Sequence, residues 1–161
     1  MLKIATWNVN SLTVRLSQLL DWLQQQQPDI MALQETKTPD EKFPYQAIQS
    51  LGYHVLFAGQ KTYNGVALLS RLPGTEVMTD LPELSDPQRR VLGATYENLR
   101  ILNLYVPNGA TVGSDKYDYK LNWLKHLHNH VKESLARYPR LIMLGDFNIA
   151  PTDQDVYDPA H

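Results

Sequence analysis

Apolar and polar positions along this chain follow two periods, and the switches between them mark its elements. Residues 2–8 read as a strand of mostly apolar residues. Leu16, Leu19, Leu20 and Leu23 then recur at helical spacing with Trp22 beside them, which predicts an amphipathic helix over 13–26. Pro28-Asp29 stops it, and residues 30–35 read as a buried strand. Residues 39–51 read as a loop and a short helix closed by Gly52, followed by a strand over 53–58. Tyr63-Asn64-Gly65 carries a hairpin-turn signal ahead of the strand Val66-Ala67-Leu68-Leu69-Ser70. Further strands are predicted near 75–79, 91–96 and 100–105. Tyr117, Leu121, Leu124, Leu127, Val131 and Leu135 predict a long helix over 115–137 with an apolar stripe, and a strand follows at 140–145. The tail from Ala150 to His161 has no periodicity and reads as a loop. Strands interleaved with helices place the chain in the α/β class.

Three of the apolar runs end on a polar group. They are Ile4-Ala5-Thr6-Trp7-Asn8, Ile30-Met31-Ala32-Leu33-Gln34-Glu35 and Leu141-Ile142-Met143-Leu144-Gly145-Asp146-Phe147-Asn148. A buried strand in an α/β sheet delivers such groups into a crevice at its C-terminal end. Three strands doing so bring Asn8, Glu35, Asp146 and Asn148 to one point. Hard oxygen ligands at one point suit Mg²⁺, and Mg²⁺ suits phosphate chemistry.

Each motif also has a plainer reading. Gly145-Asp146-Phe147-Asn148 is good turn chemistry. In the functional reading, Asp146 binds metal or orients a water, and Asn148 donates to a phosphate oxygen. Glu35 alone is an ordinary exposed carboxylate. Asn8 ends its run as a turn residue or a ligand, and Asn10 and Ser11 read equally as caps of the next helix. Tyr105-Val106-Pro107-Asn108-Gly109 is a turn signal whose tyrosine, if its pKa were lowered, could shuttle a proton or else donate to a phosphate. Arg89-Arg90 and Lys116-Tyr117-Asp118-Tyr119-Lys120 mix cations with aromatics, which suits backbone phosphates or a solvated loop and helix start. His126 and His130 stand four apart on the long helix, a zinc spacing without a third ligand, so the reading is a solvated face.

Composition narrows the class. With 161 residues and 43% hydrophobic content the chain builds a real core. It has no cysteine, which excludes disulfides, thiolate nucleophiles and zinc–cysteine sites. A cytoplasmic location is the reading, because residues 2–6 run straight into a polar site and no apolar stretch nears the roughly 18 residues of a membrane span. The net charge of −2 leaves a nucleic-acid role open, since a metal-dependent nuclease balances its cations with carboxylates.

Taken together and in order, Trp7-Asn8-Val9-Asn10-Ser11-Leu12, Leu33-Gln34-Glu35-Thr36-Lys37, Asn64 to Ser70, Gln88-Arg89-Arg90, Tyr105 to Gly109 and Gly145-Asp146-Phe147-Asn148 resemble the bacterial exonuclease III family. This is the abasic-site endonuclease branch of the endonuclease/exonuclease/phosphatase superfamily. The resemblance implies a four-layered α/β sandwich of the deoxyribonuclease I-like type, present here in part. It implies Mg²⁺, with Mn²⁺ as a substitute, and double-stranded DNA as partner. The activities implied are cleavage 5′ to abasic sites, 3′→5′ exonuclease and 3′-phosphatase. By the same resemblance Glu35 holds the metal with Asn8 and Asn10 beside it, Asp146 orients or activates water, and Asn148 holds phosphate or metal. Tyr105 and Asn108 contact the scissile phosphate, and Arg89, Arg90 and Lys120 contact the DNA backbone.

The family runs on for roughly a hundred residues more, still within the size of one domain. That part supplies an Asp…Asp-His set and an aromatic wall for the abasic sugar. His161 lacks the Ser-Asp-His context and is not read as catalytic. The expectation is that residues 1–161 are the N-terminal portion of one domain, weakly active or inactive alone. The full-length protein is expected as a monomer, and this portion as self-associating through exposed apolar area. Two other readings share these residues. One is a superfamily phosphatase or phosphodiesterase on lipids or nucleotides. The other is a non-catalytic half-domain that completes its sheet on a partner.

Overall fold

The computed structural model describes residues 1–158, so His161 lies outside the described residues. Eight strands form two four-stranded sheets. β1 (Ile4–Asn8), β2 (Ile30–Gln34), β3 (His54–Ala58) and β4 (Val66–Ser70) make the first, in the order β1-β2-β4-β3. β5 (Thr75–Met78), β6 (Val91–Tyr96), β7 (Leu99–Tyr105) and β8 (Leu141–Asp146) make the second, in the order β5-β6-β7-β8. β1–β2 and β7–β8 are the parallel pairs, each joined through a helix as a crossover requires: α1 (Leu12–Gln26) and α3 (Asp115–Arg137).

Alternation sorts the side chains into three apolar layers. Met31 and Leu33 of β2 face α1, packing with Leu12, Leu19 and Leu23. Ile30 and Ala32 of the same strand face inward, against Leu92, Ala94 and Ile101 of the other sheet. Leu102 and Leu104 of β7 point outward to Trp123 and Leu127 of α3. The order is therefore α1, first sheet, second sheet, α3, the four-layered sandwich. Strands β2, β4 and β6 are buried at every position, which is why they read as continuous apolar runs instead of alternating ones.

Three expectations change. The inward stripe of α3 is Lys120, Trp123, Leu127 and Ser134, while Leu121 and Leu135 are about half exposed at 48% and 52%. Leu124, Leu127 and Val131 of the expected stripe do pack on the second sheet, while its flanking Leu121 and Leu135 are displaced because the inward face there carries Lys120 and Ser134. His130 on that helix is half-buried and its Nε2 lies 3.2 Å from the Ser134 hydroxyl. Asn64-Gly65 lies in the hairpin that joins the antiparallel β3 and β4, as its turn signal predicts. It ends the longer loop 59–65 between β3 and β4, and both residues are left-handed. In the tail, Thr152 and Asp155 form a capping box around one 3-10 turn (Asp153–Asp155).

The two sheets are tied through a buried amide. Asn103 on β7 is fully buried and donates from Nδ2 to the backbone carbonyls of Leu33 (2.9 Å) and Ala67 (2.8 Å) in the facing sheet. Its Oδ1 accepts from Gln34 Nε2 at 2.7 Å, and Gln34 in turn reaches Thr6 Oγ1 at 3.0 Å. These bonds fix β1, β2 and β7 relative to one another within two residues of the strand ends where the polar groups gather.

Candidate active site

Asn8 stands at the centre of the site. It is the last residue of β1, and its register partner across the parallel ladder is Gln34 at the end of β2. Its Nδ2 donates to Glu35 Oε1 at 2.7 Å and to Asp146 Oδ2 at 2.8 Å. One amide thus joins carboxylates delivered by two different sheets. Asn8 Oδ1 accepts the backbone N–H of Asn10 at 3.0 Å, which uses the remaining side of the amide.

Glu35 sits just past β2 in a left-handed conformation, φ 53. Strand β2 therefore ends at Gln34, and the backbone turns to aim the carboxylate into the crevice. A non-glycine residue there is strained, and neighbours hold it. Val9 N–H bonds the Gln34 carbonyl, Ser11 N–H the Glu35 carbonyl and Leu12 N–H the Thr36 carbonyl. From the other side the carbonyls of Gly65 and Asn64 receive the N–H groups of Thr36 and Lys37. Gly65 has φ 93, and a Cβ on it would lie 2.1 Å from Thr36 Oγ1. Gly65→Ala is expected to destabilise the fold by about 1–3 kcal/mol and to move the Glu35 loop, read by urea unfolding.

Burial raises the Glu35 pKa, but hydrogen bonds from Asn8, Lys37 and Tyr105 and the Lys37 charge together hold it below its ordinary value. Glu35 is therefore an anion at neutral pH. Lys37 Nζ lies 3.1 Å from Glu35 Oε2 and 2.5 Å from Asn10 Oδ1. The capping reading holds for Ser11 in position alone, since it is the N-cap of α1 without a side-chain cap bond, and is corrected for Asn10, whose Oδ1 faces a cation.

Asp146 ends β8, after Gly145, whose place a Cβ would fill 2.0 Å from the Leu104 carbonyl oxygen. The chain can cross so close to β7 only with glycine there. Asp146 Oδ1 accepts the Asn148 N–H at 3.0 Å. Asn148 Nδ2 donates to the Val106 carbonyl at 2.9 Å, and its Oδ1 accepts from Asn108 Nδ2 at 3.2 Å. Each amide keeps one N–H for another acceptor. Asn108 Oδ1 also accepts the Ala110 N–H at 3.1 Å, so it closes the turn and serves the site at once.

Tyr105 ends β7 with its hydroxyl within the influence of the Glu35 carboxylate. Burial first, then the Glu35 charge and hydrogen bond, push its pKa up against the opposing effect of Arg90. The raised pKa keeps Tyr105 protonated at neutral pH, against the lowered pKa that the shuttle reading needs. The Arg90 guanidinium lies over its ring at 4.7 Å and donates to its carbonyl at 3.3 Å. Arg90 thus supports Tyr105 at the rim of the site. Arg89 pairs with Asp80 at 3.2 Å on the surface.

Lys120 differs most from its expected place at the DNA backbone. It is buried on α3, and its Nζ donates to the carbonyls of Asn148 (2.5 Å) and Asn108 (3.2 Å). It clasps the two loops that carry the site amides. Lys37, Gln34 and Asn103 have no assigned role in the sequence, and Asn64-Gly65 has only that of a turn. Gln34 and Asn103 had a legible signal, being amides inside apolar runs where amides are disfavoured.

Asn8, Gln34, Asp146 and Asn148 line an open cleft of about 610 Å³ with Trp7 and Phe147 at its walls. Among the described residues no three His, Asp or Glu side chains converge. The donor set for a cation is one carboxylate, Glu35, with amide oxygen beside it. That set suits Mg²⁺, which keeps several waters and takes one or two carboxylates plus substrate phosphate. The Lys37 ammonium bridging Glu35 and Asn10 shows that this point attracts positive charge.

The profile of the Endonuclease/Exonuclease/phosphatase family matches residues 5–161. Exodeoxyribonuclease III of Haemophilus influenzae is 33% identical over 96% of this chain and 60% of its own. The chain thus spans about 60% of the length of that curated relative. Among solved structures, an Asp-to-Asn variant of the 3′ phosphatase NExo from Neisseria, bound to a product DNA hairpin, superposes with a TM-score of 0.96. It is 48% identical, over 99% of this chain and 62% of that one. An AP endonuclease from Archaeoglobus fulgidus superposes at 0.93 and 39% identity, over 99% and 62% of the two chains. With its whole length matched in sequence and its sheets matched in space, the chain belongs to the endonuclease/exonuclease/phosphatase family.

Proposed function

We propose that this chain carries the catalytic floor of a divalent-metal-dependent nuclease. Its substrate is double-stranded DNA, cut at abasic sites and at 3′ ends. The observation that carries this is the Asn8 amide held between Glu35 and Asp146, with Asn148 lining the same cleft and Asn108 bonded to Asn148. The named relatives, an exodeoxyribonuclease, a 3′ phosphatase and an AP endonuclease, support a phosphate ester of DNA as the reacting group.

Glu35 would hold Mg²⁺ or Mn²⁺, with oxygens of Asn8, Asn10, Asp146 and Asn148 as the nearest further donors. When bound, such an ion stabilises charge on the phosphoryl and leaving oxygens. Asp146 takes the proton of the attacking water: both its oxygens already accept one N–H, and each keeps a free lone pair. Those two hydrogen bonds fix the carboxylate plane, so the water it binds is fixed too. Asn108 and Asn148 offer their unused N–H groups to the phosphoryl oxygens, and Tyr105, whose single O–H faces Glu35 before substrate arrives, turns it to a phosphoryl oxygen when DNA binds. Arg89 and Arg90 lie at the rim, where their charge meets DNA backbone phosphates.

We also propose that residues 1–161 are the N-terminal portion of one such domain. The free edges β1 and β8 lie on the same side of the sandwich, and Phe147 and Ile149 are exposed beside β8. The whole domain acts as a monomer, while residues 1–161 alone self-associate and cleave slowly. Sedimentation checks this, and a monomer with full nicking activity contradicts it. No helix among the described residues is long and apolar enough to cross a membrane. A cytoplasmic place fits an enzyme acting on DNA.

Substrate class is tested with Mg²⁺ and two substrates, an abasic duplex and a phosphoinositide. Cleavage 5′ to the abasic site, with the lipid untouched, is the expected outcome. Release of phosphate from the lipid alone would move the chain to the phosphatase branch.

A further inference from the structure

The Lys37 ammonium occupies the space between Glu35 Oε2 (3.1 Å) and Asn10 Oδ1 (2.5 Å). These are an anionic and a neutral hard oxygen, the donor pair suited to a divalent ion. Lys37 is not there by the chance swing of a surface chain. Its backbone is left-handed, φ 52, and its N–H is bonded to the Asn64 carbonyl at 2.9 Å. Its side chain is 29% exposed, so most of its length is packed while the ammonium bonds Asn10 at the open side of the site. Asn10 is left-handed too, φ 42, and is held by Asn8 Oδ1 through its N–H. Both sides of the bridge are therefore set by the backbone.

We propose that Lys37 is a built-in counter-cation of the metal site. It neutralises Glu35 in the metal-free protein, keeps Glu35 and Asn10 in place, and must leave its position for a divalent ion to enter. It is a positioning residue and weakens metal binding. A cation of like sign a few ångströms away opposes an incoming divalent ion, and removing it tightens binding. The inference rests on the metal reading above.

The test is direct Mn²⁺ binding, followed by calorimetry or by the electron paramagnetic resonance of free Mn²⁺, on the native sequence, Lys37→Met, Lys37→Arg and Glu35→Gln. Lys37→Met is expected to bind Mn²⁺ about tenfold more tightly at low ionic strength, with Lys37→Arg near native. Its metal-free form is expected to melt lower and to regain more stability on adding Mn²⁺ than the native chain does. Unchanged or weaker Mn²⁺ binding by Lys37→Met, with Glu35→Gln binding abolished, overturns the role of Lys37 and leaves the metal reading standing. Native-like binding by Glu35→Gln overturns both.

Discussion

An Asp146→Asn variant hydrolyses an abasic duplex about 10²–10⁴-fold more slowly than the native chain, the range for loss of a proton-accepting group. The carboxylate accepts from Asn8 Nδ2 at one oxygen and from the Asn148 N–H at the other. An amide in its place can satisfy only one of these donors, and its NH₂ faces the second. The fold loses one hydrogen bond, about 1 kcal/mol, far too little to unfold the sandwich. The reaction loses its base altogether. Single-turnover cleavage with protein in excess and saturating Mg²⁺ reads the rate even where turnover is slow. Native-like rates in the variant would remove Asp146 from the chemistry.

Asn103→Leu destabilises the fold by on the order of 3 kcal/mol, although the two side chains have similar volume. The substitution removes three buried hydrogen bonds, to the Leu33 and Ala67 carbonyls and from Gln34 Nε2. The Leu33 and Ala67 carbonyls cannot turn to water, because the layer between the sheets is apolar, while Gln34 keeps its bond to Thr6 Oγ1. Urea unfolding measures the cost. The same variant also slows cleavage, because Gln34 immediately precedes Glu35 and loses the bond that fixes it against β7. An equally stable variant would show that apolar packing alone sets the sheets.

The outline of the fold was legible because β2, β4, β6 and β7 are covered on both faces and so read as unbroken apolar runs. The same rule made Asn8, Glu35 and Asp146 conspicuous, since each follows or closes such a run. The partners of those groups were not legible. Whether Lys120 faces solvent or two carbonyls depends on where the edge of the inward face of α3 falls, and Leu121 beside it suggests the wrong edge. The Tyr105 pKa depends on Glu35 arriving from another strand, a contact between residues seventy positions apart in the chain. Lys37 reads as an ordinary surface lysine until the left-handed backbone at 35 and 37 is seen to fold it back onto Glu35.

The central claim is that Asn8, Glu35 and Asp146 act as one site. A double-mutant cycle on abasic-duplex cleavage tests it most directly, with Glu35→Gln, Asp146→Asn and the two combined. Groups that act as a unit lose nearly everything at the first substitution. The combined variant is therefore predicted to cleave within about threefold of the slower single variant. Losses that multiply in the combined variant, or a single variant that keeps the native rate, would contradict the account.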